Sequence, residues 1–263
     1  MNILIANDDG VEARGLHELA RALHEEAGAD IYVCAPDGQR SASGHGITVN
    51  DPIAIRQAQM DNVETAYVIS GLPADCVKAG LEFLRRAGIH IDMVFSGINH
   101  GGNLGTDTLY SGTVSAALEG CLCGIPSVAV SVDSHHAEHF DYACELAVSA
   151  AKSLWRRIEA GTADHRTVLN INVPNKPREE IKGLRFTRLG ERKYLELFFS
   201  KDGDGEAKIP GEFRYTGEPV QYEGLPPDVD VAASQEGCAS ITPIHTDLTS
   251  YGMIDEIKSW NLG

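Results

Sequence analysis

The chain has 263 residues, 43% of them hydrophobic and 23% charged, which suits one large soluble α/β domain or a core domain with an extension. Its 38 acidic residues outnumber 22 basic ones, a net charge of −16, and such a surface repels polyanions, so duplex nucleic acid is excluded as an expected partner. No apolar run approaches the roughly 20 residues that span a bilayer, so no membrane partner is expected, and Met1–Ala6 lacks the basic and apolar regions of a signal peptide. The expectation is a cytoplasmic enzyme whose six cysteines, with no CxxC pair among them, are free thiols.

Residues 2–6 form a short apolar run that stops at Asn7-Asp8-Asp9-Gly10, the pattern of a buried parallel strand. Leu16, Leu19, Ala20 and Leu23 recur at helical spacing and predict a helix over 15–27. A strand follows over 30–35, then Pro36-Asp37-Gly38 and a Gly/Ser-rich loop to about residue 47. Residues 63–70 read as strand, and 73–86 as a helix with Pro73 in its first turn. Strand returns over 91–96, a glycine-rich loop runs to about Tyr110, and a helix over 112–123 ends at Gly124. Residues 127–132 predict strand, 138–160 helix and 168–173 strand.

Strand alternating with helix at this spacing implies an α/β fold: a mostly parallel, Rossmann-like sheet with helices on both faces. The pattern weakens after about residue 175. Residues 1–180 read as the catalytic core. Residues 181–263 read as an extended arm or hairpin over 198–228, a late strand over 240–244 and a final helix over 249–261, all part of the same domain.

In an open parallel sheet, ligands bind at the carboxyl ends of the strands, where three polar loops converge. In the first, Asp8 and Asp9 are adjacent carboxylates at a strand end, a hard-oxygen pair suited to Mg²⁺ or Mn²⁺. A dinucleotide site would carry glycines there, and GxGxxG is missing, which argues against a nicotinamide oxidoreductase. The same pair also fits an Asx-turn with helix capping. In the second loop, Ser41 offers a neutral hydroxyl ligand, and Arg40 either contacts a phosphate or braces the loop. In the third, the carbonyl of Asn99 can complete an oxygen set, and the glycines around Gly101, Gly102 and Asn103 let backbone N–H groups face an anion. Ser111, Gly112 and Thr113 fall where the next helix begins, a phosphate position by dipole and free N–H groups, or simply a capped helix start.

Taken together, Asn7-Asp8-Asp9-Gly10, Ala35-Pro36-Asp37 with Arg40-Ser41, Pro73-Ala74-Asp75-Cys76-Val77, Ser96-Gly97-Ile98-Asn99, Asn103-Leu104-Gly105 and Tyr110-Ser111-Gly112-Thr113 resemble the SurE (survival protein E) family of 5′/3′-nucleotidases. Later segments, 169–174 and 240–243, extend the resemblance over nearly the whole chain. The resemblance implies one divalent metal ion per subunit, Mg²⁺ or Mn²⁺, held by Asp8, Asp9, Ser41 and Asn99. It also implies hydrolysis of nucleoside 5′- and 3′-monophosphates, trimming of short polyphosphate in some members, and a C-terminal segment that builds a homodimer or homotetramer. Asn7 joins the expected phosphate-binding set of Gly101, Gly102, Asn103, Ser111, Gly112 and Thr113.

The chain departs from the family pattern at three places. Gly38-Gln39-Arg40-Ser41 stands where a second basic residue is usual, Gly71-Leu72-Pro73 lacks a usual hydroxyl, and His100-Gly101-Gly102 replaces Ala-Gly-Pro. These departures leave the metal set intact and bear on base and chain-length preference. His100 either donates a proton or lines the entrance. His135, His136 and His139 read as a solvated loop, Asp75 as a helix cap, and Asp230 and His245 as interface or arm contacts.

Overall fold

The computed structural model describes residues 1–195, 198–200, 213–215, 218–260 and 262. In chain order its elements are β1 (Asn2–Ala6), α1 (Arg14–Ala27), β2 (Asp30–Pro36), β3 (Ile55–Ala58), β4 (Thr65–Ile69), α2 (Pro73–Arg86), β5 (Met93–His100), α3 (Gly112–Leu122), β6 (Ser127–Asp133), α4 (Asp141–Glu159), β7 (Thr167–Pro174), β8 (Leu184–Phe186), β9 (Tyr194–Leu195), β10 (Phe198–Ser200), β11 (Phe213–Tyr215), β12 (Glu218–Pro219), α5 (Asp230–Gln235), β13 (Ala239–His245) and α6 (Tyr251–Lys258).

Nine strands make one sheet in the order β3-β4-β2-β1-β5-β6-β7-β13-β8. The six parallel strands β4-β2-β1-β5-β6-β7 run third, second, first, fourth, fifth and sixth, the order of a doubly wound sheet. Its topological switch lies between β1 and β5, and a crevice opens outside their carboxyl ends. The apolar run of β1 is explained by this central place: Ile3, Leu4 and Ile5 are fully buried, alternating between the two faces. Ile3 and Ile5 join Leu16, Leu19 and Leu23 of α1 and Ala143 and Ala147 of α4 in one core. Leu4 and Ala6 join Cys76 and Val77 of α2 and Ala116 of α3 in the other. Burying each large aliphatic side chain contributes roughly 1.5–3 kcal/mol before conformational entropy is subtracted.

Helix α1 stops at Gly28, whose left-handed backbone (φ 66°) lets its N–H close on the His24 carbonyl and the next N–H, of Ala29, on that of Leu23. Asp75 caps α2 as expected, accepting from Leu72 N at 2.9 Å. The same carboxylate accepts from Thr48 N and Thr48 Oγ1, fastening the 37–50 loop to the helix. All six cysteines are free, and burial pushes the Cys34 thiol up to about 12.

The sequence reading and the structure differ in identifiable places. Strand β5 runs on to His100, where a loop was expected from residue 97. Its register against β6 shifts between Ser96 and Asn99, then resumes with Asn99 opposite Ser131 and His100 opposite Val132. Asn99 is therefore held by strand pairing. Strand β3 is an exposed antiparallel edge, and an edge carries no buried alternation to read. Strands β13, antiparallel to β7, and β8, parallel to β13, extend the central sheet with segments of the 181–263 stretch. The arm leaves as antiparallel pairs, β9 with β12 and β10 with β11. Residues 201–212 and 216–217 of the arm expected over 198–228 lie outside the described residues, as does Asn261 at the end of the expected final helix.

Candidate active site

The three polar loops meet in one cleft of about 510 Å³ at the switch point, within the range of small-molecule sites. Asp8, Ser41, Asn99, His100, Gly101, Gly102, Asn103 and Ser111 all line it. These residues lie up to 103 positions apart and are gathered by the parallel order of the strands.

Asp8 is buried at the end of β1, 4% exposed. Its Oδ1 accepts the hydroxyl of Thr113, so the first turn of α3 orients the carboxylate. Burial pushes the carboxyl up to about 6, the Thr113 bond pulls against that, and the neighbouring Asp9 charge adds to the rise. Asp9 also lies above its ordinary value, chiefly through burial, although His100 N donates to its Oδ2 at 3.1 Å. Two adjacent carboxylates held out of water in this way gain from a nearby cation.

Of the two neutral members of the expected metal set, Asn99 is oriented compatibly. Asn99 Nδ2 donates to the Gly101 carbonyl at 2.7 Å, which leaves its side-chain oxygen as the end available to a cation. Ser41 lies on the exposed rim, where its loop is anchored by Arg40 N donating to the Asp8 carbonyl at 2.7 Å. Among the described residues no three His, Cys, Asp or Glu side chains cluster as a metal group. Two carboxylates, a hydroxyl and an amide oxygen form a hard donor set of the kind that suits Mg²⁺ or Mn²⁺.

Other expected residues occupy distinct places. Asn7 is fully buried and closes the turn on itself: its Nδ2 donates to the Gly10 carbonyl at 2.8 Å and its Oδ1 accepts from Gly10 N at 3.3 Å. It does not line the cleft. Arg40 braces its loop, donating to Asp37 Oδ1 at 2.6 Å, and also stays out of the cleft lining. Ser111 caps α3 by accepting from Val114 N at 3.0 Å. Gly112 lies directly over the Asp8 turn: a Cβ there would stand 2.7 Å from Asp8 Cβ and 2.9 Å from Asp8 Oδ2. Asn103 donates from its backbone N to Asn172 Oδ1 and from Nδ2 to Ser131 Oγ, while its carbonyl accepts from Asn170 and Asn172. The His100 ring packs against Phe140, 5.5 Å between centroids.

The cleft also holds residues the sequence reading did not assemble. Asp107, Tyr110, Asp133, Ser134, Arg192 and Tyr194 line it. So does His135, exposed in its loop as read. Asp230, fully buried, accepts from Gly105 N at 2.7 Å and from Gly190 N at 2.8 Å, tying the third loop to the segment that leads into the arm. It acts within the chain as an arm contact. His245 ends β13 at the surface and accepts from Asp247 N at 3.2 Å. Apart from Tyr110, which stands in the Tyr110-Ser111-Gly112-Thr113 motif, none of the additional cleft residues carries a local signal in its own segment. The Asn170-Ile171-Asn172 alternation was the one usable hint, because two polar residues on one face of a buried strand need partners.

Residues 3–196 match the family described as survival protein SurE. A protein of Syntrophomonas wolfei named 5′-nucleotidase SurE is 44% identical, covering 98% of this chain and 94% of its own. One of the same name from Heliobacterium modesticaldum is 42% identical, covering 99% and 92%. The crystal structure of the SurE protein from Aquifex aeolicus superposes with a TM-score of 0.80 at 34% identity, covering 98% of this chain and 99% of that one.

Proposed function

The chain belongs to the SurE family, and on that footing we propose that it is a divalent-metal-dependent nucleotidase, hydrolysing nucleoside 5′- and 3′-monophosphates to nucleoside and phosphate. The observation that carries this reading is the buried Asp8 carboxylate lining one cleft with Ser41 and Asn99, with the half-buried Asp9 next to it in the chain and bonded to His100 N, whose residue lines the same cleft. A site built only to bind phosphate would gain nothing from two carboxylates.

Asp8, Asp9, Ser41 and Asn99 are the residues that would hold one Mg²⁺ or Mn²⁺. Held there, such an ion would supply charge neutralisation at the phosphoryl group and a lowered water pKa. The chain's own residues supply the remainder. One carboxylate of the pair accepts the proton of the attacking water. Thr113 fixes the rotamer of Asp8 through its hydroxyl. The first-turn N–H groups of α3, together with the backbone N–H of Gly102, offer donors to phosphoryl oxygens as charge grows on them, while Gly101 N is held by the Val132 carbonyl. Attack by Asp8 itself to give a phospho-aspartate is the competing route.

Short-chain polyphosphate is a further substrate under this reading, and the enzyme is cytoplasmic. It assembles as a homodimer or homotetramer. Helix α6 supports assembly, since it buries no residue and leaves Tyr251 68%, Ile254 43% and Ile257 40% exposed along one side. Light scattering of wild type against Ile254→Glu would show a monomeric variant if that stripe is the interface.

The deciding experiment measures phosphate release from 5′- and 3′-monophosphates and short polyphosphates, with Mg²⁺, Mn²⁺ or EDTA, for wild type, Asp8→Asn and Asp9→Asn. Metal-dependent release lost in both folded variants is the expected result. Full activity in both variants, or release indifferent to EDTA, would sink the reading.

A further inference from the structure

Among the described residues lining the cleft, Arg192 is the one lysine or arginine. It comes from the segment entering the arm and is placed by reciprocal bonds with Thr106: Arg192 N donates to Thr106 Oγ1 at 3.1 Å, and that hydroxyl donates to the Arg192 carbonyl at 2.9 Å. The side chain is 15% exposed. It faces two carboxylates, Asp107 at 3.4 Å and Asp133 at 3.9 Å, and the Gly102 carbonyl at 3.5 Å.

All three separations exceed the roughly 2.7–2.9 Å of a charge-assisted hydrogen bond. Several other arginines hold a carboxylate more closely, among them Arg40 with Asp37 at 2.6 Å, Arg185 with Glu236 at 2.5 Å and Arg86 with Glu82 at 2.7 Å. The two carboxylates have other partners, Tyr194 Oη donating to Asp107 and Ser234 Oγ to Asp133. They are thereby fixed in place, and the guanidinium is attracted to both but bonded tightly to neither. Gly102 preserves this spacing, because a Cβ there would meet Asp133 Oδ1 at 2.4 Å. A guanidinium only donates, so the group it awaits is an acceptor, and its planar fork matches two oxygens of a phosphoryl group.

We propose that Arg192 is a substrate-binding residue that leaves the Asp107–Asp133 pair on arrival of a phosphomonoester and takes two phosphoryl oxygens bidentately. This deepens the nucleotidase reading and rests on it for the identity of the substrate. It also supplies a cation in a site where the second loop carries Gly38-Gln39 ahead of its single arginine.

Equilibrium binding of inorganic phosphate and of AMP to the full chain, with Mg²⁺ present, tests the proposal apart from turnover. Arg192→Met should weaken both ligands roughly tenfold to a hundredfold, the worth of a charged hydrogen-bond pair, and Arg192→Lys should weaken them less. Arg188→Met, which alters the same arm root outside the cleft, should bind as wild type. Unchanged affinity in Arg192→Met, or equal loss in Arg188→Met, overturns the proposal, the latter by making Arg192 a strap for the arm. Arg192-dependent phosphate binding in a wild type that turns over no nucleotide would sustain the proposal and overturn the nucleotidase reading. A wild type binding neither ligand would overturn both.

Discussion

Replacing Asp8 with Asn should stabilise the metal-free protein, and the gain should depend on pH. The folded-state carboxyl sits at about 6 against an ordinary 3.8, mainly because burial penalises its charge. The fold therefore binds a proton more readily than the unfolded chain does. Stability from this group is present below pH 3.8 and is lost as pH rises towards 6. At about 1.4 kcal/mol per factor of ten, ionised Asp8 costs the fold about 3 kcal/mol at pH 8, but only about 0.5 kcal/mol at pH 4. Asn keeps an oxygen for the Thr113 hydroxyl and carries no charge. For a domain of this size, about 2–4 °C of Tm accompanies each kcal/mol, so the variant should melt roughly 6–12 °C above wild type at pH 8 in EDTA. Near pH 4 the two curves should almost coincide. Mg²⁺ or Mn²⁺ at a hundred times Kd should restore about 2.7 kcal/mol to wild type and little to the variant. A wild type as stable as Asp8→Asn at pH 8 in EDTA, or a gain of the same size at pH 4, would refute the claim that desolvation of this carboxylate is what a cation relieves.

Further consequences follow from the packing around the cleft. Gly112→Ala drives a methyl against Asp8 and should reduce phosphate release by at least about a hundredfold, the scale of a 1 Å misplacement; steady-state kinetics would check it, and near-normal activity would show the turn can yield. Asp230→Ala strands three backbone donors, those of Gly105, Gly190 and Val231, and should cost at least about 3 kcal/mol in urea unfolding; a loss under 1 kcal/mol, about the worth of one ordinary bond, would mean water replaces the carboxylate. Glu119 is pushed up by burial, but bonds from His45 and Lys78 outweigh this and hold it below its ordinary value. Its stabilisation is present above the ordinary carboxylate range and disappears as pH falls through the lowered one, so Glu119→Gln should destabilise at pH 7 and not in strong acid. Melts of both proteins across pH that run parallel would count against that account.

Much of the architecture was legible because β1, β2, β5, β6 and β7 are buried on both faces, and burial of that kind writes continuous apolar runs. The helices α1 and α2 were legible through their one-sided apolar spacing, and α3 through the Gly124 that follows it. Strand β3 and helix α5 were not, since an exposed edge and a six-residue helix write too few buried positions to form a period. The site divides in the same way. Asp8, Asp9 and Ser41 stand in short polar loops after strands and Asn99 in the last residues of β5, and the doubly wound order requires these strand ends to share one end of the sheet. The sequence by itself thus determined the strand–helix alternation, the carboxylate turn and the family.

Only the tertiary structure decided what each side chain touches. Asn7 and Arg40 stand in the same loops as true cleft residues, yet spend their donors on Gly10 and Asp37. Arg192 stands about ninety residues from Gly102, in a segment with no periodicity, and reaches the cleft because Asp230 and Thr106 pin that segment to the third loop. Local sequence encodes backbone preference and burial, which short stretches suffice to specify. The partners of a polar group depend on which distant segments the sheet order brings within 3 Å, and that is a property of the folded chain alone.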